Sequence, residues 1–328
     1  MGNSISLNEI KKPINDEIDI FNSKFKASLK SSVMLLDKIS MYLIKSKGKQ
    51  MRPIFILLSA NICGKINEST YRFATMVELL HTATLIHDDV VDDSYKRRGF
   101  FSINALWKNK VAVLVGDYLL SKGLLISLNN DDFKTLKLIS NTVKSMSEAE
   151  ILQIQKARKL DIEEDIYFEI IRKKTASLIS TCCAGAAMSV NSSEEIINKM
   201  QLIGEYIGIA FQIKDDLFDY EEEDTLLGKP RRIDIKEQKM TLPLIYLLKN
   251  SGYTQKKEII NIIKNHNTDN DKISKVIELV KSSGGIEYTK NKMLKYQNKA
   301  LELINDFPPS VYKNSLEQLI YFTVNRNS

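Results

Sequence analysis

Three cysteines, three histidines, six prolines and 13 glycines are few for 328 residues. Cys63, Cys182 and Cys183 cannot build a disulfide framework, and no CxxC or cysteine–histidine pair stands at zinc spacing. That usage fits a reducing, cytoplasmic setting. Cys182 and Cys183 lie in the run STCCAGAAMSV and read as small buried residues. Scarce glycine and proline leave little material for hairpins, and strict two-residue alternation is rare. Apolar runs look shorter than the roughly 18–20 residues a membrane helix needs, so no span is expected. The start, MGNSISLNEIKK, is polar where a secretory signal would be apolar. Met1-Gly2 with Ser6 meets the loose myristoylation pattern, which is too short to carry weight. The net charge of +6 is spread along the chain without a dense basic block. It suits an anionic small substrate or peripheral contact with a membrane surface, and no nucleic-acid partner is expected.

What is present is helical. Apolar residues recur every three or four positions in Val33-Leu36-Ile39-Leu43, Leu136-Ile139-Val143-Met146 and Val276-Leu279-Val280. Breakers at Gly48 to Pro53, Gly64, Gly99, Asn129-Asn130, Asn191-Ser192, Gly228-Pro230, Gly252, Gly284-Gly285 and Pro308-Pro309 cut the chain into roughly a dozen helices. Helix starts are expected at Asn191-Ser192-Ser193 before Glu194-Glu195, and at Asp161 before Glu163-Glu164. No linker divides the chain. The expectation is one all-α domain over residues 1–328, a bundle around a central cavity, with Glu258 to Lys281 as a peripheral decorated stretch.

Two segments stand out: Leu85-Ile86-His87-Asp88-Asp89-Val90-Val91-Asp92-Asp93 and Gln212-Ile213-Lys214-Asp215-Asp216-Leu217-Phe218-Asp219-Tyr220. Both carry DDxxD, 127 residues apart, like a weak internal repeat. On a helix, Asp88 and Asp92 share a face with Asp89 beside them, and Asp215, Asp219 and Asp216 repeat the arrangement. Like charges at that spacing destabilise a bare helix. Each cluster also ends an apolar helix, Met76 to Ile86 and Ile203 to Ile213, so it belongs near the core, where uncompensated carboxylates are costly. Several lysines or arginines per cluster could compensate. A hard divalent cation fits better: magnesium takes carboxylate oxygen, keeps waters and shares substrate phosphate oxygens.

With these clusters, an ordered set of motifs resembles the trans (E) isoprenyl diphosphate synthase family, most like its bacterial medium/long-chain polyprenyl (octaprenyl-type) branch. The set runs Gly48-Lys49-x-x-Arg52-Pro53, Glu78 to Asp92 with His81, Arg97-Arg98-Gly99, Gly116-Asp117, Lys174-Thr175, Phe211-Gln212, Asp215-Asp216-x-x-Asp219, Gly228-Lys229-Pro230, and Lys239 before Thr241-Leu242-Pro243. The resemblance implies a homodimeric prenyltransferase that condenses isopentenyl diphosphate with an allylic diphosphate such as farnesyl diphosphate. It implies three magnesium ions held by Asp88, Asp89, Asp92, Asp215, Asp216 and Asp219. Lys49, Arg52, His81 and Arg98 then resemble the isopentenyl diphosphate cradle, and Arg97, Lys174, Lys229 and Lys239 the allylic diphosphate contacts. The Thr175 hydroxyl, the Lys174 carbonyl and the Gln212 amide oxygen would face a carbocation, and Lys214 would balance the second cluster. No Ser–His–Asp or Cys–His relay is needed. Phe211 reads as core packing, and His87, on a different face from Asp88, as structural. Arg231-Arg232 before Asp234 departs from the small residues usual in the family.

The resemblance also places the growing chain along the helix above Asp88. Ala83 and Thr84, five and four positions upstream, are small where an aromatic would close the passage. A 20-residue helix is about 30 Å long, enough to flank a long tail, and the expected product exceeds C20, at roughly C30–C50. The alternatives are a short-chain farnesyl or geranylgeranyl diphosphate synthase and a non-catalytic regulatory subunit. Regulatory subunits usually lose an aspartate cluster, and this chain keeps both. A class I terpene cyclase would carry an NSE-type second motif instead of Asp215-Asp216-x-x-Asp219.

Overall fold

The computed structural model describes residues 6–46, 48–97, 99–220 and 233–325. Helix follows helix through them: α1 (Leu7–Lys11), α2 (Asn15–Ser28), α3 (Met34–Lys45), α4 (Met51–Cys63), α5 (Glu68–Val91), then a two-residue hairpin of β1 (Lys96–Arg97) and β2 (Phe100–Phe101). Next come α6 (Ile103–Leu128), α7 (Phe133–Lys159), α8 (Glu164–Ile171), a π turn (Arg172–Ala176), α9 (Ser177–Ser189) and α10 (Glu194–Phe218). The chain closes with α11 (Ile233–Lys236), α12 (Leu242–Asn250), α13 (Tyr253–Asn265), α14 (Asn270–Ser282), α15 (Gly285–Asn305) and α16 (Val311–Asn325). The fold is all-α. The hairpin, with Lys96 opposite Phe101, is the only sheet among the described residues.

Local chemistry sets the two site-bearing helices. Asn67 caps α5 by accepting the backbone N–H groups of Ser69 and Thr70, and the Thr70 hydroxyl accepts the Asn67 N–H in return. Ser193 caps α10 through the N–H of Ile196, with Glu194 and Glu195 in its first turn, as the sequence predicts. The start near Asp161 lies at Glu163.

Two apolar clusters hold the bundle. One joins α4, α5, α6 and α9 through residues such as Phe55, Phe73, Leu80, Leu119 and Cys183. The other joins α8, α10 and α12 to α14 through Tyr167, Ile213, Leu244, Ile259 and Val276. Helix α10 belongs to both: Ile203 and Ile207 enter the first, Ile209 and Ile213 the second. Each such side chain contributes about 1.5–3 kcal/mol on burial. So the carboxylates at the end of α10 sit on a helix fixed from both sides. The decorated stretch after Glu258 forms α13 and α14, whose Ile259, Ile263, Ile273 and Val276 still pack inward.

Helix α6 corrects the expectation about apolar runs. An 18-residue window in it has mean hydropathy 1.7, enough by length and composition to cross a bilayer. The run is easy to miss because Asp117 and Lys122 interrupt it. Ala112, Val115, Gly116, Leu119 and Gly123 turn inward, and Gly123 lies against the Leu80 side chain of α5. Lys108, with φ +73°, kinks the first turns.

Candidate active site

Both DDxxD segments fall in the last turn of their helix. Asp92 is the C-cap of α5 and Asp219 the C-cap of α10. Carboxylates there meet the negative end of the helix dipole, so each cluster calls for a cation. In both, the middle aspartate is buried: Asp89 is 4% exposed and Asp216 6%.

The two buried carboxylates are compensated differently. Asp89 Oδ1 accepts from Arg97 Nε at 2.7 Å, and the Asp89 carbonyl accepts from Asn104 Nδ2 at 3.1 Å. Asp88, exposed beside it, has its carboxyl pushed up by the protein mass behind it and then by Asp92, while Arg97 and Lys174 pull it down. Asp216 has neutral donors: Tyr167 gives its hydroxyl to Oδ2 at 2.7 Å, and Gln212 Nε2 donates to Oδ1 at 2.8 Å. Burial pushes Asp216 up to about 7 against those two hydrogen bonds. Asp219 Oδ2 accepts the backbone N–H of Asp234 at 2.6 Å. Burial, then Asp216 and Asp219, push Asp234 up to about 8.

Lys174 and Thr175 lie between the clusters, on the π turn, where the Ser177 N–H reaches the carbonyl of Arg172. Such turns recur at functional sites. The turn rests directly on α10: a Cβ at Gly208 would lie 2.4 Å from the Ala176 Cα, and one at Gly204 2.6 Å from that of Ser180. Only glycine permits that approach. It puts the Thr175 hydroxyl 2.7 Å from Gln212 Oε1. Lys174 Nζ pairs with Glu150 and donates to Gln153 Oε1 at 3.1 Å.

A cavity of about 680 Å³ opens here, lined by Lys49, Arg52, His81, Lys174, Thr175 and Phe211 among others. A smaller one on its hairpin side is lined by His81, Asp89 and Arg97, and another behind the second cluster by Tyr167, Lys174, Gln212, Asp216, Asp234 and Lys239. Thus Lys49, Arg52 and His81 meet Lys174 and Thr175 in one hollow. Arg52 Nη1 stands 3.9 Å from Glu78 Oε2. Lys239 contacts Glu237 at 2.5 Å and Asp234 at 3.9 Å. Burial pulls its ammonium down, but Glu237 and Asp234 outweigh this and raise it. Lys214 lies over the Phe218 ring at 4.6 Å. His87 packs on Gly116 and stands 3.3 Å from the Val113 carbonyl oxygen and 3.5 Å from Asp117, a structural place. Arg98, Lys229 and Arg231-Arg232 lie outside the described residues. Ala83 is 1% exposed and packed in the first core cluster, Thr84 is half-buried, and neither lines these three cavities.

Among the described residues no three acidic, histidine or cysteine side chains converge as a ready-made metal cage. The donor type still suits a hard cation that completes its shell with phosphate and water: carboxylate oxygen predominates, with no thiol or imidazole used. Sequence reasoning missed Glu150, Gln153 and Tyr167. Glu150 and Gln153 stand three apart on one face of α7, a signal that was available. Tyr167 had none, being one of 13 tyrosines and eight positions before Thr175.

Comparison with known proteins gives a consistent picture. The Polyprenyl synthetase family model matches residues 33–280. An all-trans-nonaprenyl-diphosphate synthase (geranyl-diphosphate specific) of Rhodobacter capsulatus is 34% identical over 97% of each chain. A polyprenyl synthase from Caulobacter crescentus, solved with calcium and isoprenyl diphosphate, superposes with a TM-score of 0.90 at 29% identity over 100% of both chains. A geranylgeranyl pyrophosphate synthase from Bacteroides thetaiotaomicron superposes with a TM-score of 0.83 at 36% identity, over 98% of this chain and 99% of that one.

Proposed function

The chain belongs to the polyprenyl synthetase family, and from that premise we propose how its residues carry out the condensation. It is a prenyltransferase. An allylic diphosphate such as farnesyl diphosphate is elongated by successive head-to-tail (E) additions of isopentenyl diphosphate. The observation that carries this reading is the pairing of Thr175 with Gln212 beside Lys174, at a hollow shared with Lys49, Arg52 and His81 and bordered by the acidic clusters.

Lys49, Arg52 and His81 bind the isopentenyl diphosphate, with Arg98. Arg97, Lys174 and Lys239, with Lys229, bind the allylic diphosphate. Arg52, Arg97, Lys174 and Lys239 already face carboxylates, so the diphosphate competes with Glu78, Asp89, Glu150 and Glu237. Asp88, Asp89, Asp92, Asp215, Asp216 and Asp219 hold magnesium, three ions per site, with Asp89 shared with Arg97. When bound, the metal supplies positive charge to the leaving diphosphate. The allylic C–O bond breaks with both electrons leaving on that group. Thr175, the Lys174 carbonyl and Gln212 turn dipoles toward the resulting cation. The isopentenyl double bond attacks it, and a proton passes to the departing diphosphate.

The chain acts as one catalytic domain over residues 1–328, and the relatives' near-complete coverage supports this. It works as a homodimer in the cytoplasm. Exposed Leu106, Val113, Leu114, Leu125 and Leu128 on α6 give a second copy an apolar face, and three free thiols suit a reducing compartment. Peripheral membrane contact would serve product release.

The expected product is roughly C30–C50, given small residues at 83 and 84 and the nonaprenyl relative. A shorter, geranylgeranyl-type product is the second reading, favoured by the tight packing of Ala83 and by the Bacteroides likeness. Incubation with isopentenyl and farnesyl diphosphates, with and without magnesium, followed by product chromatography, tests both. No consumption sinks the enzyme reading, and a C15 or C20 end point sinks the long-chain one. Ala83→Phe should shorten the product, and an unchanged length would remove Ala83 from the passage.

A further inference from the structure

Three directed hydrogen bonds lead from the cavity wall into the core behind the second cluster. Thr175 donates to Gln212 Oε1 at 2.7 Å, Gln212 Nε2 to Asp216 Oδ1 at 2.8 Å, and the Tyr167 hydroxyl to Asp216 Oδ2 at 2.7 Å. Tyr167 is 4% exposed, stacked edge-on against Phe168 and packed in the second core cluster. It is the fixed end of the chain.

The backbone is shaped to make the connection. Tyr167 and Thr175 are eight residues apart, which on a regular helix at 3.6 residues per turn leaves them about 80° out of line. The π turn between them holds more residues per turn and takes up that offset. Both side chains then face α10, where Gly204, Gly208, Gln212 and Asp216 follow at four-residue steps on one face.

The sense of the chain follows from its members. Both Asp216 oxygens accept in the structure, Oδ2 from the Tyr167 hydroxyl and Oδ1 from Gln212 Nε2. With Tyr167 donating on one side, Asp216 takes the Gln212 amide N–H on the other. The amide oxygen of Gln212 then turns to Thr175 and takes its single hydroxyl proton. What Thr175 presents to the cavity is lone pairs. We infer that Tyr167 is a positioning residue for the condensation: through Asp216 and Gln212 it fixes the direction of the Thr175 hydroxyl, so that the negative end of that dipole meets the allylic cation. The identity of the cation rests on the proposed function; the order of donors does not.

A double-mutant cycle in the full-length enzyme tests this, at a temperature where circular dichroism shows each variant folded. With magnesium saturating for every variant, Tyr167→Phe should lower kcat about tenfold with both KM values within about twofold, a smaller loss than the 10²–10³ of removing a direct transition-state donor. Thr175→Val should lower kcat at least as much, and the double variant should be no slower than Thr175→Val alone. Losses that multiply would show that Tyr167 acts apart from Thr175 and would overturn the inference. Binding of Mn²⁺ with inorganic pyrophosphate, followed by electron paramagnetic resonance, reads the anchoring of Asp216 without turnover. Tyr167→Phe should weaken it about tenfold and Thr175→Val should not, whereas equal binding in Tyr167→Phe and wild type counts against the anchor. If Tyr167→Phe melts below the assay temperature, 3-fluorotyrosine at 167 keeps the shape and strengthens the donor. Its kcat should shift about twofold and that shift should vanish beside Thr175→Val; no shift, or one that persists, overturns the inference. A wild-type enzyme that consumes no isopentenyl diphosphate fails the proposed function instead, and the Mn²⁺ comparison then decides the placement of Asp216.

Discussion

The two aspartate clusters look alike in sequence and are built differently. The first ends α5 and opens to solvent: Asp88 and Asp92 are exposed, and the buried Asp89 is matched by the charge of Arg97 from the neighbouring hairpin. The second ends α10, a helix buried on two sides, and among the described residues the donors to its buried Asp216 are the neutral Tyr167 and Gln212. Compensation by charge leaves a carboxylate ready as an anion. Compensation by neutral hydrogen bonds leaves it short of positive charge, and the raised Asp216 and Asp234 carboxyls are the sign of that. The second cluster therefore depends more on an arriving cation than the first.

The largest effects test whether both are needed. Asp88→Ala and Asp216→Ala should each lower kcat by about 10³ or more, roughly 4 kcal/mol of transition-state stabilisation. They should part company in metal-free melting experiments. Asp88→Ala removes an exposed like charge and should leave stability within about 0.5 kcal/mol. Asp216→Ala strands the buried Tyr167 hydroxyl and the Gln212 amide, and should cost about 2–4 kcal/mol. Equal stabilities would erase the distinction drawn between the clusters.

The charged partner gives the next test. Arg97→Met leaves Asp89 buried without its cation. Breaking a fully buried pair costs about 3–5 kcal/mol, but the Arg97 side chain is 36% exposed, so about 1–3 kcal/mol is expected once solvent screening is allowed for. Denaturant titration would read it. A loss below about 0.5 kcal/mol would mean that water, not Arg97, compensates Asp89.

The sequence displayed the helices, both clusters and most of the cations, because helical periodicity and DDxxD are local patterns. Lys174, Thr175 and Gln212 were legible only through a resemblance, since they meet across 37 residues of chain. The different surroundings of Asp89 and Asp216 were not legible. Nothing near Asp216 in sequence announces Tyr167, and the link depends on a π turn and on glycines that let two backbones touch. The apolar length of α6 went unseen because two charges break the run, although a helix spreads them round its circumference. Glu150 was passed over as one of many acidic surface residues, yet it is a partner of Lys174 and a repulsive neighbour of Asp88.

The smallest effect is on the pH dependence of the metal-free protein. In the unfolded chain an aspartate titrates near 3.9, whereas in the fold Asp216 is pushed to about 7 and Asp234 to about 8. Between those values the native state holds protons that the unfolded chain has released, so stability falls as pH rises. The contribution is whole below about pH 4 and is spent once pH passes about 8. Melting temperature without divalent metal should therefore decline from pH 5 to pH 8. Asp216→Asn should flatten that decline more than Asp88→Asn, because burial and neighbouring carboxylates act more strongly at the second cluster. Magnesium with inorganic pyrophosphate should remove most of the slope, since a bound cation favours the ionised carboxylates that the empty pocket disfavours. A slope that survives saturation with metal and pyrophosphate would place its source elsewhere in the molecule, and the second cluster would lose its claim to be the more cation-dependent of the two.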